Sequence, residues 1–136
     1  MTEALIVGAG PAGLLLACEL RLAGIDTVVI ERHARRPDFC RSFTLNARSL
    51  DLLARRGLAA GLVEQGWPVP HAPFAGLPVT LGLTGAATGH PYTLGIPQTT
   101  VEEVLEERAA ALGADLRRGH ELRALDDGVA TVGCDA

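Results

Sequence analysis

The run Gly8-Ala9-Gly10-Pro11-Ala12-Gly13 constrains this chain more than any other feature. It lies between an apolar tetrapeptide, Ala4-Leu5-Ile6-Val7, and a segment from Pro11 to Leu22 in which Leu14, Leu15, Cys18 and Leu22 recur at helical offsets. A short strand that stops at glycines and turns at once into a helix is the opening of a βαβ unit. In such a turn Gly8 permits the sharp change of direction and Gly10 leaves room for a pyrophosphate to touch the backbone. Gly13 lets the helix pack closely on the sheet. Pro11 suits the first helical turn, where its missing N–H costs nothing. With Ala12 it sits at a helix start whose free N–H groups and positive dipole end favour phosphate.

Gly24 closes that helix, and Thr27-Val28-Val29-Ile30 forms a second buried strand ending at Glu31. Glu31 stands 18 positions after Gly13, where a carboxylate accepts hydrogen bonds from ribose hydroxyls. The same charge repels a 2′-phosphate, which argues against NADP in this site. The competing interpretation is a glycine-rich turn in an unrelated α/β domain with Glu31 merely solvated. Strand, turn, helix and acid in one register favour the dinucleotide. The expected fold class is α/β, a Rossmann-like βαβ dinucleotide-binding fold with a parallel central sheet. The first strand, apolar on both faces, is expected to be central in it.

Residues His33 to Phe39 read as a loop. Asn46 is placed to cap a helix through Ala54, with Leu50, Leu53 and Ala54 on one face, and a shorter helix follows from Leu58 to Gln65. The proline-rich stretch from Gly66 to Gly95 is expected to be irregular, with strands at Val79 to Leu83 and Tyr92 to Ile96. Thr99 or Thr100 with Glu102 or Glu103 has the spacing of a capping box. The helix after it buries Val101, Val104, Leu105, Ala109 and Leu112, and Glu102, Glu103, Glu106 and Glu107 read as its solvated face. Short strands are expected near Asp115 to Arg117, Glu121 to Leu125 and Val129 to Val132. The length fits one domain, residues 1–136.

Formal net charge is −4, and all 12 basic residues are arginine, so no broad positive field exists to collect nucleic acid or anionic lipid. Three separated cysteines give neither a disulfide framework nor a zinc motif. No apolar run is long enough to cross a bilayer. A reducing cytoplasmic compartment is the default expectation. The four histidines are scattered without metal-ligand spacing, and Ser42 and Ser49 lack a GxSxG elbow, so no catalytic residue is assigned. Cys18 reads as a core residue, Cys40 as a loop thiol with a structural role favoured, and Trp67-Pro68 and Phe74 to Leu77 as core filler.

Several segments in order carry a family likeness. The opening GAGPAGL, Glu31-Arg32, Cys40-Arg41-Ser42 running on to Asn46-Ala47-Arg48-Ser49-Leu50, and His90-Pro91-Tyr92 through Gly95-Ile96-Pro97-Gln98 resemble the N-terminal portion of class A flavoprotein monooxygenases. This is the para-hydroxybenzoate hydroxylase fold, and the polyketide hydroxylase and rifampicin monooxygenase group is the most similar part of it. Val132-Gly133-Cys134-Asp135 resembles the start of that family's Asp-Gly motif. The resemblance implies FAD as cofactor and NAD(P)H as transient reductant in the complete enzyme. It also implies an aromatic or polyketide small-molecule substrate. It places Arg41 and Arg48 along the FAD chain, Gln98 at its ribityl or pyrophosphate region, and the segment around Trp67 and Phe74 toward the substrate side. Family members run several times longer, and their later Gly-Asp motif and substrate-covering sheet have no counterpart here. The expectation is a FAD-binding portion, truncated relative to the family and too short to act alone, with self-association through exposed apolar surface. A catalytically silent nucleotide-binding module and an NAD-binding Rossmann domain are the alternatives.

Overall fold

The computed structural model of the chain describes residues 2–134. In chain order its elements are β1 (Ala4–Val7), α1 (Pro11–Leu22), β2 (Thr27–Glu31), β3 (Thr44–Leu45), α2 (Ala47–Ala54), α3 (Ala59–Gln65), β4 (Trp67–Val69), β5 (His71–Pro73), β6 (Thr80–Gly82), β7 (Thr93–Gly95), α4 (Gln98–Ala111), β8 (Asp115–Arg118), β9 (His120–Asp126) and β10 (Val129–Cys134). They group into two compact units, Met1–Phe39 with Glu102–Ala136, and Cys40–Val101. Asp135, the last residue of the expected Asp-Gly segment, lies outside the described residues.

The first unit is built on a parallel sheet of order β1-β2-β8. Residues 27–30 of β2 are all buried, and their β-branched side chains suit a strand covered on both faces. The expectation that β1 is central is corrected: β2 holds the centre and β1 the edge of this sheet. Ile6 is buried toward α1, whereas Leu5 and Val7, on the opposite face, are exposed. An apolar run on both faces signals a demand for cover, not a position in the strand order. Helix α1 buries Leu14, Ala17 and Cys18, and each fully buried leucine of this kind contributes about 1.5–3 kcal/mol. Two contacts tie α1 to the α4 region: Cys18 Sγ to the Leu105 carbonyl at 3.7 Å and Arg21 Nε to the Leu112 carbonyl at 3.1 Å.

Helix α4 begins at Gln98, earlier than the capping box implies, so Thr99 and Thr100 lie inside it. The Pro97 carbonyl accepts the Thr100 and Val101 N–H groups instead. Val101, Leu105 and Ala109 are buried as expected, and Val104 and Leu112 are half-buried. β9 and β10 form an antiparallel hairpin across Asp127-Gly128, both at positive φ.

In the second unit the Asn46 side chain caps α2, its Oδ1 accepting the Ser49 N–H at 2.9 Å. Leu50 and Leu53 are buried, while Ala54 is exposed, contrary to expectation. β7 pairs antiparallel with β3 on one side and β4 on the other, and Leu94 and Ile96 fill the core beneath it. Trp67 and Phe74 are more than half exposed, so they are not core filler. Leucines 50, 53, 62 and 94 do that work. Asn46→Ala should cost about 1 kcal/mol in urea unfolding and Asn46→Asp much less, because only the first removes the acceptor for the Ser49 N–H.

Candidate dinucleotide site

The turn between β1 and α1 is drawn as tight as backbone allows. Gly8 sits at φ +106° and donates its N–H to the Ile30 carbonyl at 2.7 Å, so the strand pairing runs into the turn itself. A Cβ on Gly13 would overlap the Gly8 carbonyl oxygen and come within 3.3 Å of Ile6 Cγ2. Close helix-to-strand packing therefore requires Gly13. Gly10 differs, because a Cβ there would meet nothing within 4 Å. It is the N-cap of α1 in extended conformation, with Pro11 next, no side-chain cap and no acid in the first turn. The helix start thus has N–H groups and a positive dipole end that no side chain caps.

Glu31 closes the turn from the other side. Its Oε2 accepts the Ala9 N–H at 3.0 Å and its Oε1 the His33 N–H at 2.9 Å. Burial works against its charge, but the His33 and Ala9 N–H groups, with the nearby charges of His33 and Arg118, outweigh it. The carboxyl is held below the ordinary glutamate range. An ionised carboxylate has about four acceptor positions. Two serve the backbone, and the others are available to a ribose diol. Donors for an anion at a helix start, acceptors for sugar hydroxyls beside them and bare space over Gly10 fit the phosphate–ribose portion of a dinucleotide.

Gly8, Gly10, Pro11, Ala12, Gly13 and Glu31 thus come together within the first unit, and Arg32 is exposed directly after Glu31. Arg41, Arg48 and Gln98 belong to the second. Arg41 is exposed. Arg48 is exposed on α2, in an open groove of about 440 Å³ shared with Asp51, Leu52, Arg55 and Thr88. Gln98 is the first residue of α4, and its N–H donates to the Ser42 carbonyl at 2.9 Å and to Cys40 Sγ at 3.2 Å. Cys40 Sγ donates in turn to Ser42 O at 2.8 Å, which gives this thiol a structural role.

Two clusters escaped the sequence. In the second unit Asp51 pairs with His90 Nδ1 at 2.7 Å and accepts from Thr88 Oγ1, and these bonds hold its carboxyl below the usual aspartate range. In the first, Glu106 binds both Arg36 and Arg118. The four glutamates of α4 are therefore not one solvated face: Glu103 and Glu107 are exposed, Glu102 is buried and Glu106 is paired and half-buried.

The profile of the FAD binding domain family matches residues 1–135. The chain belongs to this family. FAD is the cofactor of this domain, which replaces the NAD-binding Rossmann alternative, and the resemblance to class A flavoprotein monooxygenases holds. The domain is 47% identical over 130 residues to an anhydrotetracycline monooxygenase of Streptomyces rimosus, covering 93% of this chain and 26% of that protein. It is 39% identical over 128 residues to a rifampicin monooxygenase of Rhodococcus hoagii, covering 92% and 26%. The solved structure of an anhydrotetracycline hydroxylase from Streptomyces rimosus superposes with a TM-score of 0.93 at 43% identity, over 97% of this chain and 28% of that one. The chain thus spans about a quarter of the length of the relatives it matches. Among the described residues no helix is long and apolar enough to cross a membrane.

Two predictions follow from this geometry. Gly13→Ala should destabilise the FAD binding domain by roughly 1–3 kcal/mol, since the added methyl meets backbone, whereas Gly10→Ala, which meets nothing, should cost under about 1 kcal/mol, the preference for Gly over Ala at an N-cap. Acid provides the second. Glu31 and Glu106 both titrate below the ordinary value of 4.5 in the folded chain, so near and below that pH the unfolded chain binds more protons. Their contribution is complete above the unfolded value and is lost as pH falls through the folded one. Stability should therefore drop on acidification from about pH 6 to about pH 3, and Glu31→Gln should show a shallower drop by urea unfolding at each pH.

Proposed function

We propose that this domain is the FAD-binding portion of an NAD(P)H-dependent flavoprotein monooxygenase that hydroxylates an aromatic or polyketide substrate. The observation that carries the reading is the pairing of an uncapped helix start at Gly10-Pro11 with Glu31, whose two remaining acceptor positions suit a sugar diol. In this reading residues 1–136 act as one FAD-binding domain. Gly8, Gly10, Pro11, Ala12 and Gly13 receive the pyrophosphate, Glu31 binds the ribose of the adenosine half, and Arg32 lies beside it. The resemblance assigns Arg41, Arg48 and Gln98 to the cofactor as well. Guanidinium forks suit phosphate oxygens, and an amide both donates to and accepts from sugar hydroxyls.

Bound FAD supplies the redox chemistry, passing electrons from the nicotinamide to oxygen. The share of these residues is different: they fix the cofactor's ADP end, so that the position of its reactive ring is set by the rest of the fold. The names of the relatives support the substrate class, since anhydrotetracycline is a polyketide and rifampicin carries an aromatic core. The half-exposed Phe43, Trp67 and Phe74 of the second unit suit the substrate side that the resemblance gives to this region. The exposed Leu5 and Val7 support self-association of the isolated chain, which sedimentation would register.

The test is direct. Purified chain mixed with FAD and gel-filtered should retain flavin absorbance, and Gly10→Val should lose it while staying folded, at a cost of about 1 kcal/mol or less in urea unfolding. A Gly10→Val variant that holds FAD as tightly as the wild type would sink the assignment of the turn. Retained flavin without substrate-dependent NAD(P)H oxidation would identify the isolated chain as a silent nucleotide-binding module.

A further inference from the structure

Glu31 has a competitor for its remaining acceptor positions, and the fold holds that competitor away. Arg118, the last residue of β8, is the register partner of Glu31 on the neighbouring parallel strand, so the two side chains leave the same face of the sheet. A glutamate and an arginine so placed are natural ion-pair partners. Yet among the described residues no hydrogen bond joins them. The Arg118 guanidinium is turned to α4, where Nη2 donates to Glu106 Oε2 at 2.7 Å and Nε approaches Oε1 at 3.5 Å. Arg36, from the loop after β2, donates Nη2 to the same Oε2 at 2.7 Å, and its Nη1 lies 3.5 Å from Glu103 Oε1. Arg36 Nε is buried without a partner, so its orientation follows Glu106 and not full satisfaction of its own donors. Both guanidiniums are largely enclosed, at 26% and 19% exposure.

The consequence lies in acceptor arithmetic. Ala9 and His33 occupy two of the Glu31 acceptor positions. A guanidinium binds a carboxylate as a fork and would take the other two, leaving none for a ribose diol. We propose that Glu106 is a positioning residue for dinucleotide binding: by holding Arg118, with Arg36, against α4, it keeps the Arg118 fork off Glu31 and leaves the carboxylate open to the ribose. The proposal rests on the reading of the turn as the ADP site. It adds a determinant of affinity that touches no part of the cofactor.

The test compares Glu106→Gln, Arg118→Leu and the double variant of the purified chain, by FAD titration and by carboxyl NMR titration of Glu31 in flavin-free protein. Glu106→Gln frees Arg118 to swing onto Glu31. FAD should bind about tenfold more weakly, and the Glu31 titration should move further down. Adding Arg118→Leu removes the competitor, so affinity should return to within about twofold of wild type and the Glu31 titration should move back up. Arg118→Leu alone should bind FAD at least as tightly as wild type. A purely structural network predicts the opposite, a double variant as weak as Glu106→Gln or weaker. That result overturns the proposal, as does wild-type affinity in Glu106→Gln, an unmoved Glu31 titration, or a tenfold loss in Arg118→Leu. A wild-type chain that binds no FAD overturns the proposal together with the reading of the turn. A wild type that binds FAD with any of the other failures overturns the proposal alone.

Discussion

The Glu31 carboxylate holds this site together before any ligand arrives. One oxygen takes the Ala9 N–H inside the glycine turn, and the other takes the His33 N–H where the chain leaves β2. Two loops that diverge from neighbouring parallel strands are thereby tied to one side chain. Charge-assisted hydrogen bonds of this kind are stronger than neutral ones, and the depressed titration of Glu31 is the other face of the same stabilisation. Protein bonds alone hold the turn in shape, so on the proposed reading little ordering entropy remains to be lost when phosphate binds.

The glycines divide the labour around that carboxylate. Gly13 is required by the fold, because backbone fills the place where a side chain would go. Gly10 is not required by packing, and a Cβ there would meet nothing within 4 Å. On the proposed reading a side chain at Gly10 would meet the pyrophosphate and not the protein, so the two residues give separable readouts of stability and of binding. In the proposed site the same separation distinguishes Glu31, which has acceptor positions left for a ribose, from Glu106, whose carboxylate is taken up by Arg36 and Arg118.

Much of the first unit was legible in the sequence. The bounds of β1, α1 and β2 follow from an abrupt change of apolar period across a glycine turn, and Glu31 from its place at the end of the second strand. Asn46 was legible for a similar reason, since a cap is a local signal. What periodicity could not report is long-range pairing. Glu106 sits next in sequence to buried Leu105, at the edge of the apolar stripe, and its partners Arg36 and Arg118 come from a loop and a strand end. Nothing in the charge pattern of α4 distinguishes it from exposed Glu107. Strands β3, β4 and β5 span two or three residues each, too few to show alternation, and two of them contain proline. The Thr-Thr-Val-Glu-Glu sequence has capping-box spacing, but the chain is already helical when it reaches Thr99.

Backbone groups do most of the recognition in the proposed site, and this bears on what such a domain specifies. N–H groups at a helix start suit phosphate whatever side chains surround them, so in the proposed reading the turn is indifferent to the substrate. Two of the relatives are named for different compounds, anhydrotetracycline and rifampicin, yet both match nearly the whole of this chain. The span they share with it is the one that the FAD binding domain family matches in this chain. Discrimination between such substrates requires side chains that meet them. In the proposed function the side chains of this chain suited to that task are the exposed aromatic residues of the second unit, Phe43, Trp67 and Phe74, and not the sheet that carries the turn.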